Sequence, residues 1–181
     1  IVSLHLKTMD RINVRYDVLP RESDILQLKF WESAFTLLKQ QQAIFVQDQG
    51  KNSGCWVMQV QTESGQEEKV IVRSNNTVTY VGKDIAYQLW KLGLLKQEFH
   101  YHVFDSYSNG DRVWVTSSQN GESKHPEFGD ATSVYNVIDV RQSYPQSIVK
   151  EGVRALGYKL EAERSIHFSY EMVALTPSKR P

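Results

Sequence analysis

The segment from Val134 to Val173 constrains the fold of this chain more than any other part of the sequence. Residues 134–140 are apolar and rich in β-branched side chains, which predicts a buried strand. The four residues Ser143-Tyr144-Pro145-Gln146 then have the form of a capping box, with a proline in the first turn of a helix. A strand followed directly by a capped helix is the beginning of a βαβ unit.

The rest of this segment completes that unit. The predicted helix buries one apolar face (Ile148, Val149, Val153 and Leu156). Gly157 ends it in the left-handed conformation, and a last strand covers residues 166–175. The unit therefore belongs to an α/β fold with a parallel sheet. Arg141 and Gln142 follow the first strand at its carboxyl end, which is where such sheets bind ligands.

The spacing of apolar residues upstream of Val134 predicts further helices and strands. A strand is expected over residues 11–19, and a helix over 24–41, capped by Ser23, with an apolar face formed by Ile25, Leu28, Trp31, Phe35 and Leu38. Three short strands with turn-rich connections over residues 43–74 indicate an antiparallel meander. A helix over 83–96 buries Ile85, Leu89 and Leu92. A hairpin then turns at Asn109-Gly110, and a surface loop covers 117–131.

Three stretches carry a resemblance to a known family. They are INVRYDVLPRESDI at 12–25, VTYVGKDIAYQLW at 78–90, and NVIDVRQSYPQ at 136–146, which is followed by LGY and HFSYEMV. These stretches are collinear and resemble the second half of the catalytic domain of arginyl-tRNA synthetase, a class I aminoacyl-tRNA synthetase. The resemblance implies a parent enzyme that activates L-arginine with ATP to arginyl-adenylate and transfers the arginyl group to tRNA(Arg).

The resemblance also implies an architecture. The fold class is α/β: a partial Rossmann-like parallel sheet with helices, interrupted by an inserted helix and antiparallel β-meander. We expect residues 1–23 and 75–181 to form the second half of the catalytic nucleotide-binding fold, and residues 24–74 to form the inserted subdomain. A meander between α/β pieces independently suggests an insertion.

Three residues are expected to bind arginine, by their match to the family's motifs. Asp84 would form a bidentate pair with the guanidinium, and Tyr80 would hold or stack on it. Gln142 would accept hydrogen bonds from the guanidinium nitrogens. The residues alone allow plainer interpretations. Asp84 could be a charge in the first turn of a helix, Tyr80 a core residue, and Gln142 a helix-entry residue bonded to backbone.

The resemblance assigns the adenine of ATP to His167, Phe168, Met172 and Val173, although Phe168 and Met172 could equally be core residues. ATP is expected as a substrate with Mg²⁺ in the parent enzyme, without a tightly bound cofactor and without a covalent protein nucleophile. His100 and His102 alternate on one strand, but no third ligand has suitable spacing, so no metal site is predicted. Lys83 could contact phosphate or RNA, or simply be solvated.

Composition sets limits on partners and compartment. Lys plus Arg (21) balance Asp plus Glu (21), so most affinity for RNA is expected elsewhere in the parent enzyme, and no DNA partner is expected. Cys55 is the only cysteine, which fits a reducing compartment and packing rather than catalysis. No apolar run is long enough to span a membrane. These features fit a cytoplasmic protein of 181 residues with one domain and a possible insertion.

The family's two phosphate-holding motifs are missing from the printed sequence. The HIGH signature would precede residue 1, and the KMSKS-like loop would follow Val173. We therefore expect a piece of a longer enzyme that forms no adenylate alone, because electrostatic support of the transition state is lost. Two alternatives remain open: a non-catalytic, synthetase-like module that binds arginine, and an unrelated α/β interaction domain.

Overall fold

The computed structural model describes residues 1–62 and 65–171. In chain order its elements are α1 (Val2–Arg11), β1 (Val18–Leu19), α2 (Glu22–Gln27), α3 (Phe30–Gln40), β2 (Phe45–Val46), β3 (Trp56–Thr62), β4 (Gly65–Val72), α4 (Tyr80–Lys91), β5 (His100–Ser106), β6 (Arg112–Ser117), β7 (Val134–Asp139), α5 (Ser143–Ala155), α6 (Lys159–Glu163) and β8 (Ser165–Tyr170). Among these described residues, no helix is long and apolar enough to cross a membrane.

The strands form three small sheets. In the first, β6 pairs in parallel with β1 and antiparallel with β5. The second is the antiparallel meander β2-β3-β4. The third consists of the parallel pair β7 and β8, in register from Val134 opposite Ser165 to Asp139 opposite Tyr170. The fold is therefore mixed α/β, as the sequence predicted, with parallel pairing in the βαβ unit and antiparallel pairing in the meander.

One hydrophobic core joins the helices to the meander. Its fully buried members include Phe30 and Leu38 of α3, Ile71 of β4, and Ile85 and Leu89 of α4. Helices α4 and α5 approach closely because α5 has a glycine at the crossing. A Cβ placed on Gly152 would lie 2.8 Å from Cδ1 of Ile85. This close approach fixes α4, which carries the candidate site, against the βαβ unit.

Several sequence expectations are confirmed by these elements. The βαβ unit, the meander and the hairpin around Asn109-Gly110 are all present. The predicted buried positions of the helix after β7 have exposures of 7% or less (Ile148, Val149, Val153 and Leu156). Gly157 has the expected positive φ of 93°. In each of these cases, a pattern over a few neighbouring residues was sufficient to predict the feature.

The N-terminal predictions need correction. Residues 2–11 form α1, which was not predicted, and the strand expected over 11–19 is reduced to Val18–Leu19. Asn13 turns the chain at a positive φ of 58°, and only the two residues of β1 reach β6 to form a ladder. Alternation of apolar residues was thus not enough to make a strand where, among the described residues, no neighbouring strand pairs with it.

The prediction of one long helix over 24–41 is also wrong, because two helices, α2 and α3, occupy this region. Lys29 adopts the left-handed conformation between α2 and α3, with φ 59° and ψ 29°. The predicted apolar face survives the break because both helices pack on the same core. Ser23 lies inside α2 and does not cap it, since the residue at the N-cap is Arg21.

Two details of the βαβ unit differ from expectation. The predicted capping box is absent, because α5 begins at Ser143 directly after a single 3₁₀ turn; the Ser143 hydroxyl donates to the carbonyl of Val140 instead of capping. The strand β7 is covered on one face only. Tyr135 and Val137 are each 63% exposed, because within the described residues helices cover only the opposite face.

The proposed division into residues 1–23 and 75–181 with an insertion at 24–74 stays a prediction. The meander and α3 share their core with α4, so the two parts are packed together.

Candidate functional site

A stripe of polar and aromatic side chains runs along one face of α4. Thr79 caps this helix by accepting a hydrogen bond from the backbone of Gly82, at 3.4 Å. Tyr80, Asp84, Gln88 and Lys91 then follow at helical spacings that place them on the same face. Because the cap sets the start of α4 at Tyr80, Asp84 lies in the second turn, which corrects the expectation that it lies in the first.

The buried end of this stripe is tied to the parallel strands by hydrogen bonds. The Gln88 amide nitrogen donates to Ser165 Oγ of β8 at 2.7 Å, and its amide oxygen accepts from Asn136 Nδ2 of β7 at 3.3 Å. Lys91 Nζ donates to Asn136 Oδ1 at 2.8 Å. Gln88 is 2% exposed and Asn136 8%, so this network links α4 to both strands away from water.

Two ionisable side chains of the stripe, Asp84 and Lys91, lie in partly desolvated surroundings. Burial lowers the pKa of Lys91 to about 8, against a smaller opposing effect from Asp84. The pKa of Asp84 is raised, mainly by desolvation and further by Glu22, while Lys91 and Lys83 act in the opposite direction. Asp84 is still an exposed residue, so a ligand can reach it. A cation placed here would gain from a carboxylate that water screens incompletely.

Tyr80 begins the stripe at the mouth of a groove. Its side chain is 78% exposed and lines a groove of about 560 Å³ between the meander and the starts of α4 and α5. Tyr144 of α5 lines the same groove. An exposed aromatic ring one helical turn before a carboxylate is a suitable arrangement for a planar cation such as a guanidinium.

Gln142 lies beside this groove, two residues before Tyr144. It is exposed in the 3₁₀ turn that joins β7 to α5. In the part of the chain that the structure describes, no hydrogen bond joins it to Tyr80 or Asp84. The structure thus brings Tyr80 and Asp84 together on α4 and places Gln142 at the neighbouring strand end. Its part in arginine binding stays a prediction.

The two predicted adenine-binding residues that the structure describes, His167 and Phe168, lie on opposite faces of β8. His167 donates from Nε2 to the carbonyl of Ile138 at 3.0 Å, on the covered face of the β7–β8 pair. Phe168 follows it in β8 and therefore points to the opposite, open face, where it is 60% exposed. Met172 and Val173 lie outside the described residues. The adenine assignment stays a prediction.

The other candidates have local partners. Lys83 forms an ion pair with Glu22 of α2 at 2.7 Å, and its Nζ lies 5.3 Å from the centre of the Tyr80 ring. His102 shares a hydrogen bond with Asn120 at 3.2 Å. Within residues 1–62 and 65–171, no group of three or more His, Cys, Asp or Glu side chains is arranged to hold a metal ion.

Sequence reasoning missed the residues that support the stripe, namely Gln88, Lys91, Asn136 and Ser165. A signal for two of them was available, because Gln88 and Lys91 follow Asp84 by four and seven residues, which is the spacing of one helical face. Asn136 is a polar residue among the apolar positions that begin β7, and a polar residue in such a position indicates a buried polar contact.

The arrangement can bind and orient a cationic side chain, with Asp84 as the anion and Tyr80 as the aromatic neighbour. Within the described residues it contains no nucleophile paired with a base and no metal cluster.

Comparison with known proteins gives this geometry a context. No protein-family profile matches the chain. Over 178 residues the chain is 39% identical to the arginine–tRNA ligase of Thermus thermophilus, covering 97% of this chain and 29% of that protein. The arginine–tRNA ligase of Pyrococcus abyssi is 35% identical over 176 residues, covering 96% of this chain and 27% of its own length.

A solved structure agrees with these relatives. The arginyl-tRNA synthetase of Thermus thermophilus superposes with a TM-score of 0.75 at 33% identity, covering 91% of this chain and 28% of that one. The chain thus spans less than a third of the length of the proteins it matches.

Proposed function

We propose that this chain, which belongs to the arginyl-tRNA synthetase family, contributes the arginine-binding half of a class I catalytic domain to a longer ligase. The observation that carries the proposal is the α4 stripe, in which Tyr80 and a partly desolvated Asp84 share one face beside an open groove. Tyr80 and Asp84 lie within the VTYVGKDIAYQLW stretch that resembles the family's arginine-recognition motif.

Recognition would depend on the planar shape of the guanidinium. Asp84 offers two carboxylate oxygens to paired N–H donors, Tyr80 offers an aromatic face, and Gln142 offers an amide oxygen from the neighbouring strand end. Lysine presents a point charge on a flexible stem and would match only part of this arrangement. The site would therefore prefer arginine to lysine, and to citrulline, which has the same shape without the charge.

In the whole ligase the reaction would follow in two steps. A carboxylate oxygen of arginine attacks the α-phosphorus of ATP, and pyrophosphate leaves as arginyl-adenylate forms. A ribose hydroxyl of tRNA then attacks the arginyl carbonyl, and AMP leaves. The contribution of this chain would be to hold the arginine side chain so that its carboxylate is correctly placed, which is catalysis by positioning. ATP with Mg²⁺, and tRNA(Arg), are proposed as partners of the whole ligase.

The test is ligand selectivity of the purified 181-residue chain. Calorimetric titration should show L-arginine binding at least tenfold more tightly than L-citrulline. Asp84→Asn should remove this preference, because a neutral amide has no charge to distinguish the two ligands. Asp48→Asn is the matched control, since Asp48 is an exposed carboxylate in a loop outside α4. An unchanged preference in the Asp84 variant would exclude Asp84 from the pocket.

The alternative of a non-catalytic arginine-binding module makes the same prediction for binding. It differs in what the longer polypeptide does: the ligase proposal expects arginine-dependent ATP–pyrophosphate exchange by the whole protein, and the module does not.

A further inference from the structure

Asn136 of β7 is a buried amide in a position that favours an apolar side chain. It lies between the exposed residues Tyr135 and Val137, so its side chain is on the face of β7 that the helices cover, where it is 8% exposed. Asparagine is poorly suited to the interior of a strand, and an apolar residue would be buried here at a lower cost. The stability of β7 alone therefore does not explain an asparagine at this position.

The amide of Asn136 ties β7 to α4 through two hydrogen bonds. Its oxygen accepts from Lys91 Nζ at 2.8 Å, and its nitrogen donates to the amide oxygen of Gln88 at 3.3 Å. Lys91 is held there in spite of desolvation, which lowers its pKa to about 8. Buried polar contacts add little stability over apolar packing, but hydrogen bonds are directional and can specify how two elements are aligned.

The apolar contact of α4 with α5 does not specify that alignment. At the crossing of the two helices, a Cβ placed on Gly152 would lie 2.8 Å from Cδ1 of Ile85, which sets how closely they approach. Apolar packing is not directional, so it restrains a shift of α4 along the sheet less than it restrains their separation. The hydrogen bonds to Asn136 supply the missing restraint.

The carboxyl end of β7 leads into a well-defined turn that carries Gln142. Three residues after Asn136, the carboxylate of Asp139 accepts from the backbone N–H of Arg141 at 2.9 Å and from its guanidinium at 2.8 and 2.9 Å. The hydrogen bonds from Arg141 lower the pKa of Asp139 to about 2, so this carboxylate is ionised at neutral pH. Gln142 follows directly, and β7 and this turn set its position relative to Asn136.

We propose that Asn136 is a positioning residue of the arginine site. It holds α4, which carries Asp84 and Tyr80, in alignment with the end of β7, which leads to Gln142, so that side chains from both elements meet one guanidinium. The inference rests on the proposed function, because Asn136 has this role only if arginine binds there. Asn136 would contact no atom of the substrate and would act only through the two elements that it joins.

A double-mutant cycle on L-arginine binding to the 181-residue chain tests this role. Gln142→Ala should weaken binding about tenfold, because it removes an acceptor for a charged ligand. Asn136→Val suits a strand but makes neither hydrogen bond, and it should weaken binding by about the same factor. The double variant should bind hardly more weakly than either single variant. Losses that multiply in the double variant would show that Asn136 does not act through Gln142 and would overturn the proposal.

Two further substitutions at the same position distinguish positioning from packing. In Asn136→Asp the carboxylate can accept from Lys91 and from a rotated Gln88 amide, while the Ser165 hydroxyl donates to Gln88, so arginine should bind within about threefold of the unchanged chain. In Asn136→Ser the shorter side chain leaves room for a water to satisfy Lys91 and Gln88, which keeps the test decisive if Asn136→Val does not fold. Arginine should bind to Asn136→Ser as weakly as expected for Asn136→Val. Weak binding by Asn136→Asp, or normal binding by Asn136→Ser, would overturn the proposal.

A control in another sheet separates loss of positioning from loss of stability. Val113→Ala on β6 opens a cavity at a position that is 1% exposed, in a strand that pairs with neither β7 nor β8. This variant should unfold at a lower urea concentration and bind L-arginine as the unchanged chain does. If arginine affinity falls in Val113→Ala as far as in Asn136→Val, affinity follows stability and the positioning role is refuted.

Failure of this inference can be distinguished from failure of the proposed function. If the unchanged chain prefers L-arginine to L-citrulline, Asp84→Asn removes the preference and Asn136→Val binds arginine normally, only the positioning role is refuted. If the unchanged chain shows no preference for L-arginine, the proposed function is refuted, and the role of Asn136 is refuted with it.

Discussion

At the scale of single residues, Lys91 has an amine that is desolvated by burial. Burial lowers its pKa from 10.5 to about 8, so between about pH 8 and pH 10 the unfolded chain keeps a proton that the folded chain has released. Because the unfolded state binds more protons in this window, the free energy of unfolding should rise with pH there.

Replacing Lys91 by a residue without an amine should remove this dependence of stability on pH. In Lys91→Met the rise between about pH 8 and pH 10 should disappear, as measured by urea unfolding at a series of pH values. Lys159→Met should keep the rise, because Lys159 is exposed on α6. Equal slopes in the two variants would show that Lys91 has an ordinary pKa in the folded protein.

Gln88 gives a second prediction at this scale. Gln88→Leu should lower the free energy of unfolding by about 1–3 kcal/mol, because Ser165 and Asn136 would each lose a buried partner. Chemical denaturation measures the effect, and Gln40→Leu on the exposed face of α3 is the control. Gln40 is exposed, so its substitution should change stability by no more than about 0.5 kcal/mol. A Gln88 variant as stable as the control would mean that the network contributes nothing to folding.

Residue-scale features of the site were only partly accessible from sequence. Asp84 and Tyr80 were found because they occupy a recognisable motif. Asn136 and Ser165 were missed because their role depends on α4 crossing two strands that are distant in the sequence. Contacts of this kind are set by packing and leave only a weak local signal.

At the scale of elements, the crossing of α4 and α5 positions the candidate site. Gly152→Ala should destabilise the protein by about 1–3 kcal/mol, because the new Cβ would lie 2.8 Å from Ile85 Cδ1 in a filled core. The gain in helix propensity, about 1 kcal/mol, would not offset this overlap.

A double variant tests whether this overlap causes the destabilisation. Ile85→Val removes Cδ1, so Gly152→Ala should cost less in that background than in the unchanged chain. Thermal and urea unfolding of the four proteins gives the coupling energy. Independent, additive effects would show that the two helices are not in tight contact at this point.

Sequence reasoning at this scale succeeded where an element is determined locally. The βαβ unit was predicted because a β-branched run, a proline in the first helical turn and Gly157 all act over a few residues. It failed at Lys29, because the apolar periodicity continued across the break. It also failed at residues 11–17, because no strand in the part of the chain that the structure describes pairs with them. Strand β7 was expected to be buried, yet burial depends on what covers a sheet, which a local pattern does not contain.

At the scale of the whole molecule, the chain combines the α4 stripe, which the sequence predicted in part, with a groove that the sequence did not predict. The stripe offers an anion for a guanidinium, and the groove beside it is lined by the meander and by the starts of α4 and α5. The two meet at Tyr80, and the groove is assembled from parts that are distant in sequence. The meander thus forms one wall of this groove.

The 181-residue chain should not catalyse arginine-dependent ATP–pyrophosphate exchange. The printed sequence lacks the HIGH and KMSKS-like motifs that hold ATP phosphates in the family it resembles, so the transition state would lack electrostatic support worth several kcal/mol. Exchange is followed with labelled pyrophosphate. Robust exchange by the purified chain would refute this prediction.

An NMR titration of the isotopically labelled chain with L-arginine shows most plainly whether α4 carries an arginine site. Amide shift changes should be concentrated between Tyr80 and Gln88 of α4 and in the 140–144 turn after β7. L-citrulline at the same concentrations should produce much smaller changes. Shifts centred on α1 or the β5–β6 hairpin, or equal responses to both ligands, would contradict an arginine site on α4.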